Sequence, residues 1–362
     1  MRIVIAGGGT GGHLFPGVAL AEELRTRGHE VTFVGTARGI ESRVLPALGW
    51  PLELIEVSGL KGQGLAAKAR GAAQIPGALV QSNAILQRLS PALVVGVGGY
   101  ASGPVVLRAA LRGIPTAILE QNSVPGITNR LLGRVVKLVC GAFPGAARFF
   151  PAKKYRLLGN PVREKVRAAL ASTAATTPRA LLVVGGSQGA HAVNELVAGA
   201  LEQLAARGVR FPVVHQSGSA DHAGLVARYE RAKLVVDVRP FIDDMAAAYR
   251  DAKLVVARAG ASTLAELTAL GVPSLLVPFP QAADDHQTAN ARDLVEAGAA
   301  ELLVQATTTA ADLADRIGIL LADDHHLQRM RDAALTMGRP DAHRDIANTL
   351  LALVKEPSRD PR

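Results

Sequence analysis

Two stretches decide the fold: Ile3 to His13, IVIAGGGTGGH, and Leu181 to His191, LLVVGGSQGAH. Each runs from a short apolar segment through a glycine-rich turn into residues that suit a helix. Gly7, Gly8, Gly11 and His13 of the first coincide with Gly185, Gly186, Gly189 and His191 of the second, at an offset of 181 − 3 = 178 residues. Unbroken rather than alternating hydrophobicity marks strands covered on both faces, so each stretch predicts strand, turn and helix of a parallel sheet. The rhythm recurs at Val31–Val34, Leu93–Val95, Leu254–Val256 and Ser274–Val277. A pattern that starts twice predicts an α/β chain of two Rossmann-like, doubly wound domains, 1–161 and 162–341, divided at the turn in Arg156 to Arg163, RLLGNPVR.

Composition bounds the function. Of 362 residues, 49% are hydrophobic, which excludes a disordered chain, and the single cysteine, Cys140, excludes a disulfide scaffold and suits a reducing cytosol. No apolar run reaches the roughly 18 residues that span a bilayer, and Gly7 interrupts the first strand before a signal-peptide core could form. Charge is split unevenly: residues 1–160 hold 18 Lys+Arg and 7 Asp+Glu, net +11, while the remaining residues hold 22 and 24, net −2. The first half therefore suits an anionic partner: a phosphorylated substrate or an acidic membrane surface. Nucleic acid is disfavoured, since the cations are scattered and no helix-turn-helix, zinc or stacking signature accompanies them.

Gly7 to Gly12, GGGTGG, satisfies G-x-G-x-x-G between the first strand and first helix, where amides can approach a phosphate. A dinucleotide enzyme also wants an acid at the end of the second strand; that strand ends instead in Gly35-Thr36. A Walker loop fails too, because His13 stands where Lys is required. Further glycine turns at Gly96 to Pro104, GVGGYASGP, and at Gly185 to Gly189, GGSQG, suggest several phosphates or a diphosphate on each side of a cleft.

Gly7 to Pro16 (GGGTGGHLFP), Gly98 to Pro104 (GGYASGP), Glu120 to Asn122 (EQN), Gly159 to Arg163 (GNPVR), Gly185 to Gly189, Phe241 to Met245 (FIDDM), Arg258 to Glu266 (RAGASTLAE) and Asp284 to Asn290 (DDHQTAN) together resemble the MurG family of bacterial glycosyltransferases. The resemblance runs in order over almost the whole chain. It implies the GT-B fold, with two Rossmann-like domains facing a cleft, an amino-terminal acceptor domain, a UDP-N-acetylglucosamine domain, and a last helix, 342–355, packing back on the first. It implies inverting transfer of N-acetylglucosamine from UDP-N-acetylglucosamine to the 4-hydroxyl of an undecaprenyl-diphosphate-linked muramyl-pentapeptide, in peptidoglycan synthesis. It also implies a peripheral place on the cytoplasmic face of the cell membrane and contact with cell-wall synthesis and division proteins. The same fold serves UDP-N-acetylglucosamine 2-epimerases, which need no lipid acceptor, and a nucleotide-sugar-binding protein without catalysis would share the donor motifs.

Many glycosyltransferases hold a metal on Asp-x-Asp, a motif this chain lacks, so the expectation is no metal and no cofactor beyond the donor substrate. Charge on the departing diphosphate then falls to fixed donors. By resemblance these are Arg163 and Ser187, with Glu266 on the ribose, the Ile242 backbone on uracil, and Gln287 on the sugar, His286 being a less certain neighbour. The resemblance also assigns Ala261, Ser262, Thr263, Leu264 and Ala265 to the donor, and Thr10, Gly11, Gly12 and Asn122 reach it from the first domain. Ser262 and Thr263 are read as capping a helix. Gly8, Gly9, Gly98, Gly99, Tyr100 and Ser102 are assigned to loops for the acceptor diphosphate. The acceptor hydroxyl needs a base titrating near neutrality, and His13, at the first helix's amino end, is best placed. Many relatives carry His before Glu-Gln-Asn; here that residue is Leu119. His191 is read as part of the donor loop's structure, and His29 and His215 as surface or packing residues. Residues 65–90 read either as an interfacial membrane segment, with Lys68, Arg70 and Arg88 meeting anionic lipid, or as a Pro-interrupted helix on the sheet.

Overall fold

A computed structural model describes residues 1–57, 74–170, 180–186 and 188–355. Ser187 and residues 65–73 of the candidate membrane segment lie outside the described residues. The chain divides into two units, Met1–Arg163 with Pro340–Arg362, and Glu164–Arg339.

The first unit is built on strands β1 (Arg2–Gly7), β2 (Glu30–Gly35), β3 (Leu52–Leu54), β4 (Leu93–Gly98), β5 (Thr116–Glu120), β6 (Leu138–Gly141) and β7 (Tyr155–Leu157). They form one sheet in the order β3-β2-β1-β4-β5-β6-β7, parallel throughout. Side chains of a strand alternate between faces, so β1 feeds two cores. Ile3 and Ile5 join Leu14, Leu20, Leu24, Phe33 and Val95 on one face, whereas Val4 and Ala6 join Leu86, Val105, Val106 and Ile118 on the other. Helices α1 (Gly11–Thr26), α2 (Glu41–Ala47), α3 (Ile75–Leu89), α4 (Ser102–Leu111) and α5 (Ile127–Leu132) connect the strands. The segment read as 65–90 thus supplies one described helix, α3, which packs beside α4 through an Asn83 side chain that accepts from Arg108 Nε (3.0 Å) and Arg112 Nη1 (2.8 Å).

The second unit repeats the plan. Strands β8 (Ala180–Val184), β9 (Val213–Gln216), β10 (Asp237–Arg239), β11 (Ala252–Ala257), β12 (Ser274–Leu276) and β13 (Ala300–Leu302) lie in the order β10-β9-β8-β11-β12-β13, again all parallel. Its helices are α6 (Glu164–Leu170), α7 (His191–Ala206), α8 (His222–Arg231), α9 (Met245–Asp251), α10 (Ala261–Leu270), α11 (His286–Glu296), α12 (Ala310–Ala322) and α13 (Asp324–Met337). A final helix, α14 (Ala342–Lys355), rejoins the first unit, where Ala342, Ile346, Ala347 and Leu350 are buried in the core shared with α1.

Candidate active-site loops

In a doubly wound sheet, ligands bind where the strand order reverses, at the carboxyl ends of the strands. In the first unit that point falls between β1 and β4. The turn after β1 and the turn after β4 interlock there through backbone: Gly8 N–H donates to the Gly98 carbonyl (3.1 Å), and a Cβ on Gly7 would stand 2.1 Å from that same oxygen. Gly7 at φ +137° and Gly98 at φ +93° hold conformations open to glycine. His13, in the first turn of α1, lays its ring against Gly98, where a Cβ would lie 2.6 Å from Cδ2, and its Nδ1 is 3.1 Å from Thr10 Oγ1. The histidine is therefore held by the turn it faces. The N-cap residue Thr10 gives α1 no side-chain cap, so among the described residues the first amides of the helix, at Gly11 and Gly12, lack both an intrahelical acceptor and an N-cap oxygen. These amides and the helix dipole favour an anion. Thr10, Gly9, Gly12 and Tyr100 are exposed and Asn122 half-buried.

Ser102, expected to line the acceptor loop, is fully buried, its Oγ has no hydrogen-bond partner among the described residues, and a Cβ on Gly96 would sit 2.4 Å from it. It belongs to the interior because α4 turns its first residue onto β4.

The end of β5 adds a group that the sequence motif contained without revealing its role. Glu120 is buried; loss of water pushes its carboxyl up to about 7, against hydrogen bonds donated by Asn122 N–H (2.9 Å) and Asn129 Nδ2 (2.9 Å). It acts on the Asn122 turn rather than on solvent. Gln121 stitches the same turn to β4 by donating Nε2 to the Val97 carbonyl (3.0 Å). Leu119 is a core residue of β5 whose carbonyl accepts from Asn129.

In the second unit the reversal falls between β8 and β11. Arg258, following β11, does not reach outward: its Nη1 donates to the Val277 and Pro278 carbonyls (3.0 Å each) and its guanidinium lies over the Phe279 ring. Gln287 Oε1 accepts from Phe279 N–H (3.0 Å), so both side chains fix the turn after β12. That turn leads into Asp284 and Asp285, at φ +55° and +51°, a strained pair that reverses the chain into α11, with His286 Nδ1 2.7 Å from the Ala283 carbonyl. The capping expected from Ser262 and Thr263 is absent. Gly260, in extended backbone, is the N-cap of α10, so the two hydroxyls fall inside the first turn, where the buried Ser262 Oγ has no partner among the described residues. Ala261 and Leu264 are buried, Thr263 and Ala265 are partly exposed, and Glu266 is buried in the second turn.

Ile242 is buried, and its N–H donates to Gln216 Oε1 (3.1 Å), while Gln216 Nε2 donates to the Gly186 carbonyl (2.8 Å). Gln216 thus ties the turn that holds Ile242 to the turn after β8. Beside it lies a buried chain of polar groups. His215 Nδ1 meets Tyr229 Oη (2.8 Å) and Nε2 meets Asn194 Oδ1 (3.0 Å); Asn194 Nδ2 donates to the Ser217 carbonyl (2.8 Å) and to Asp221 (2.7 Å), which faces His191. Burial holds His215 down at about 4, so it is neutral; Nε2–H then donates to Asn194 Oδ1 and Nδ1 accepts from the Tyr229 hydroxyl. Arg163 is exposed, the last residue of the first unit before α6.

Two Rossmann-like parallel-sheet units, each with glycine turns at its strand reversal, are the architecture of GT-B glycosyltransferases. Residues 3–140 match the glycosyltransferase family 28 N-terminal domain, and residues 180–346 the family 28 C-terminal domain. The chain is 52% identical to the UDP-N-acetylglucosamine--N-acetylmuramyl-(pentapeptide) pyrophosphoryl-undecaprenol N-acetylglucosamine transferase of Anaeromyxobacter sp. strain K, over 98% of this chain and 94% of the relative. It is 49% identical to the protein of that name from Myxococcus xanthus, over 98% and 93%. A crystal structure of Acinetobacter baumannii MurG superposes with a TM-score of 0.80 at 35% identity, covering 97% of this chain and 99% of that one. The chain belongs to glycosyltransferase family 28 and, within it, to the MurG family. A putative UDP-N-acetylglucosamine 2-epimerase from Listeria monocytogenes shares the fold alone, at a TM-score of 0.67 and 16% identity, over 99% of this chain and 98% of that one.

Proposed function

We propose that the chain transfers N-acetylglucosamine from UDP-N-acetylglucosamine to N-acetylmuramyl-(pentapeptide) pyrophosphoryl-undecaprenol, the first unit taking the acceptor and the second the donor. The observation that carries this reading is the identity of about half over nearly the full length of relatives named for that transfer. The geometry supports it: the amino end of α1 offers amides to a diphosphate, and His13 stands one residue beyond them. In this reading His13 takes the proton of the acceptor 4-hydroxyl as its oxygen attacks the anomeric carbon and UDP departs from the opposite face, with inversion. Thr10 orients the imidazole, and Arg163 with the Ser187 turn meets the charge that develops on UDP, without a metal.

The acceptor's lipid brings the first unit to a membrane. No helix among the described residues is long and apolar enough to cross one. Val80 on α3 and Leu111 on α4 are 70% and 68% exposed, and Arg108 and Arg112 bring positive charge to the same helix pair at Asn83; together they support a peripheral footing on an anionic surface. A protein surface for cell-wall synthesis and division partners belongs to the same proposal.

The test is transfer of radiolabelled sugar to a lipid-diphosphate muramyl peptide in the presence of chelator. Labelled lipid is expected from the wild type, and a loss of 10²- to 10⁴-fold in kcat from His13→Ala, the range for a general base. Conversion of the nucleotide sugar without acceptor would instead support a 2-epimerase, and loss of activity in chelator would overturn the metal-free step.

A further inference from the structure

The turn after β1 owes its shape to a carboxylate, Glu41, from the first residue of α2. Glu41 is 1% exposed. One oxygen accepts from Gly9 N–H (2.7 Å); the other accepts from both the N–H and the hydroxyl of Thr36 (2.9 Å each). An acid missing from the end of β2 is thus present a few residues on, and it turns inward to bind the glycine turn instead of outward to a ribose.

The surroundings are cut to fit it. Gly35 and Gly39 do not lie in the left-handed region, so their backbone conformation does not call for glycine. A Cβ at either would strike Glu41, at 2.5 Å from Cγ for Gly35 and 2.0 Å from Oε2 for Gly39, and the three nearest atoms in each case belong to that one side chain. With Gly8 N–H given to Gly98 and Gly9 N–H given to Glu41, two of the turn's amides are committed inside the protein. The first amides of α1, at Gly11 and Gly12, have no intrahelical acceptor and follow directly on this pinned segment.

We propose that Glu41 is a positioning residue for the acceptor. It pins the Gly8–Gly9 segment so that the amides of Gly11 and Gly12 are held ready for the acceptor diphosphate, while Gly8 and Gly9 serve as the frame rather than as ligand contacts. This inference rests on the transferase reading above for the identity of the anion.

Three variants test it in the full-length enzyme. Glu41→Gln places an NH2 against a donor on one side whichever way the amide turns. Gly39→Ala leaves Glu41 chemically intact but displaces it, and Thr36→Val removes one hydroxyl bond. In the first two, KM for the lipid acceptor should rise at least tenfold, with KM for UDP-N-acetylglucosamine within twofold of wild type; Thr36→Val should move the same way by less. Inorganic diphosphate, followed on the backbone amide resonances of residues 8–12, gives a reading independent of turnover and should bind at least fivefold more weakly to Glu41→Gln and Gly39→Ala. Acceptor KM unchanged in folded variants, equal rises for both substrates, or unaltered diphosphate binding would overturn the role of Glu41. A wild type that transfers no sugar would overturn the transferase reading and leave the diphosphate titration to judge Glu41.

Discussion

Glu120 and His215 are buried titratable groups whose surroundings push them oppositely, and each contributes to the pH response of its own unit. Glu120 rises from 4.5 to about 7, so between those values the unfolded chain is ionised while the native carboxyl keeps its proton. Stability therefore falls as pH climbs through that window, by about 3 kcal/mol from the shift alone. His215 falls from 6.5 to about 4; here the unfolded chain binds the proton first, and stability falls as pH drops through that window by a similar amount, about 3 kcal/mol. Native-state hydrogen exchange, corrected for intrinsic rates, should show β5 losing protection toward pH 8 and β9 losing it toward pH 4. Glu120→Gln should flatten the first slope and leave the second; an unchanged slope would assign it elsewhere. At this scale the sequence was only partly legible. His13 could be placed because a residue one step past a glycine turn has a predictable neighbourhood. Glu41, Gln216 and the His215–Asn194 pair could not, since their partners are supplied by turns that only the sheet order brings together.

Among elements, the buried apolar strands were readable: β1, β2, β4, β8, β11 and β12 are covered on both faces and so contain few interruptions, even where, as in β12, only three residues pair. The short strands β3, β7 and β10 are only three residues long and partly exposed, and no such pattern marks them. Helix starts were less legible, as α10 shows: a run of Ala-Ser-Thr invites a cap at the hydroxyls, yet a glycine in extended backbone, two residues before Ser262, begins the helix. The final helix α14 shows what an element can carry. Ala342, Ile346 and Leu350 repeat every fourth residue and are all fully buried, and Asn348 accepts from Arg27 Nη1 of the α1 carboxyl end (2.6 Å). Truncating Leu350 to Ala should cost about 3 kcal/mol, as deletion of a fully buried leucine does. Chemical denaturation should register that loss as lowered stability of the first unit, with hydrogen exchange in β8 of the second unchanged. Equal loss in both units would refute the assignment of α14 to the first.

For the whole molecule, the repeated strand, turn and helix was enough to foretell two parallel-sheet units, because a fold built twice leaves its signature twice. The uneven charge, +11 over residues 1–160 and −2 over the rest, predicts how the full-length protein meets vesicles. Binding to anionic vesicles should exceed binding to neutral ones and weaken as salt rises, since exposed cations are screened beyond about 10 Å at 0.1 M. Val80→Asp with Leu111→Asp should weaken it at least tenfold in sedimentation assays, with KM for UDP-N-acetylglucosamine unchanged; salt-independent binding, or binding indifferent to both substitutions, would place the footing elsewhere.

The route of the chain has a consequence for its synthesis. It leaves the first unit after Arg163, completes the second by Arg339, and only then supplies the helix that closes the first unit's core over Leu14 and Leu24. On a ribosome, the unit begun second has its full complement of residues before the unit begun first. The seven-stranded sheet must wait, with the α1 face uncovered, through the making of an entire neighbouring domain.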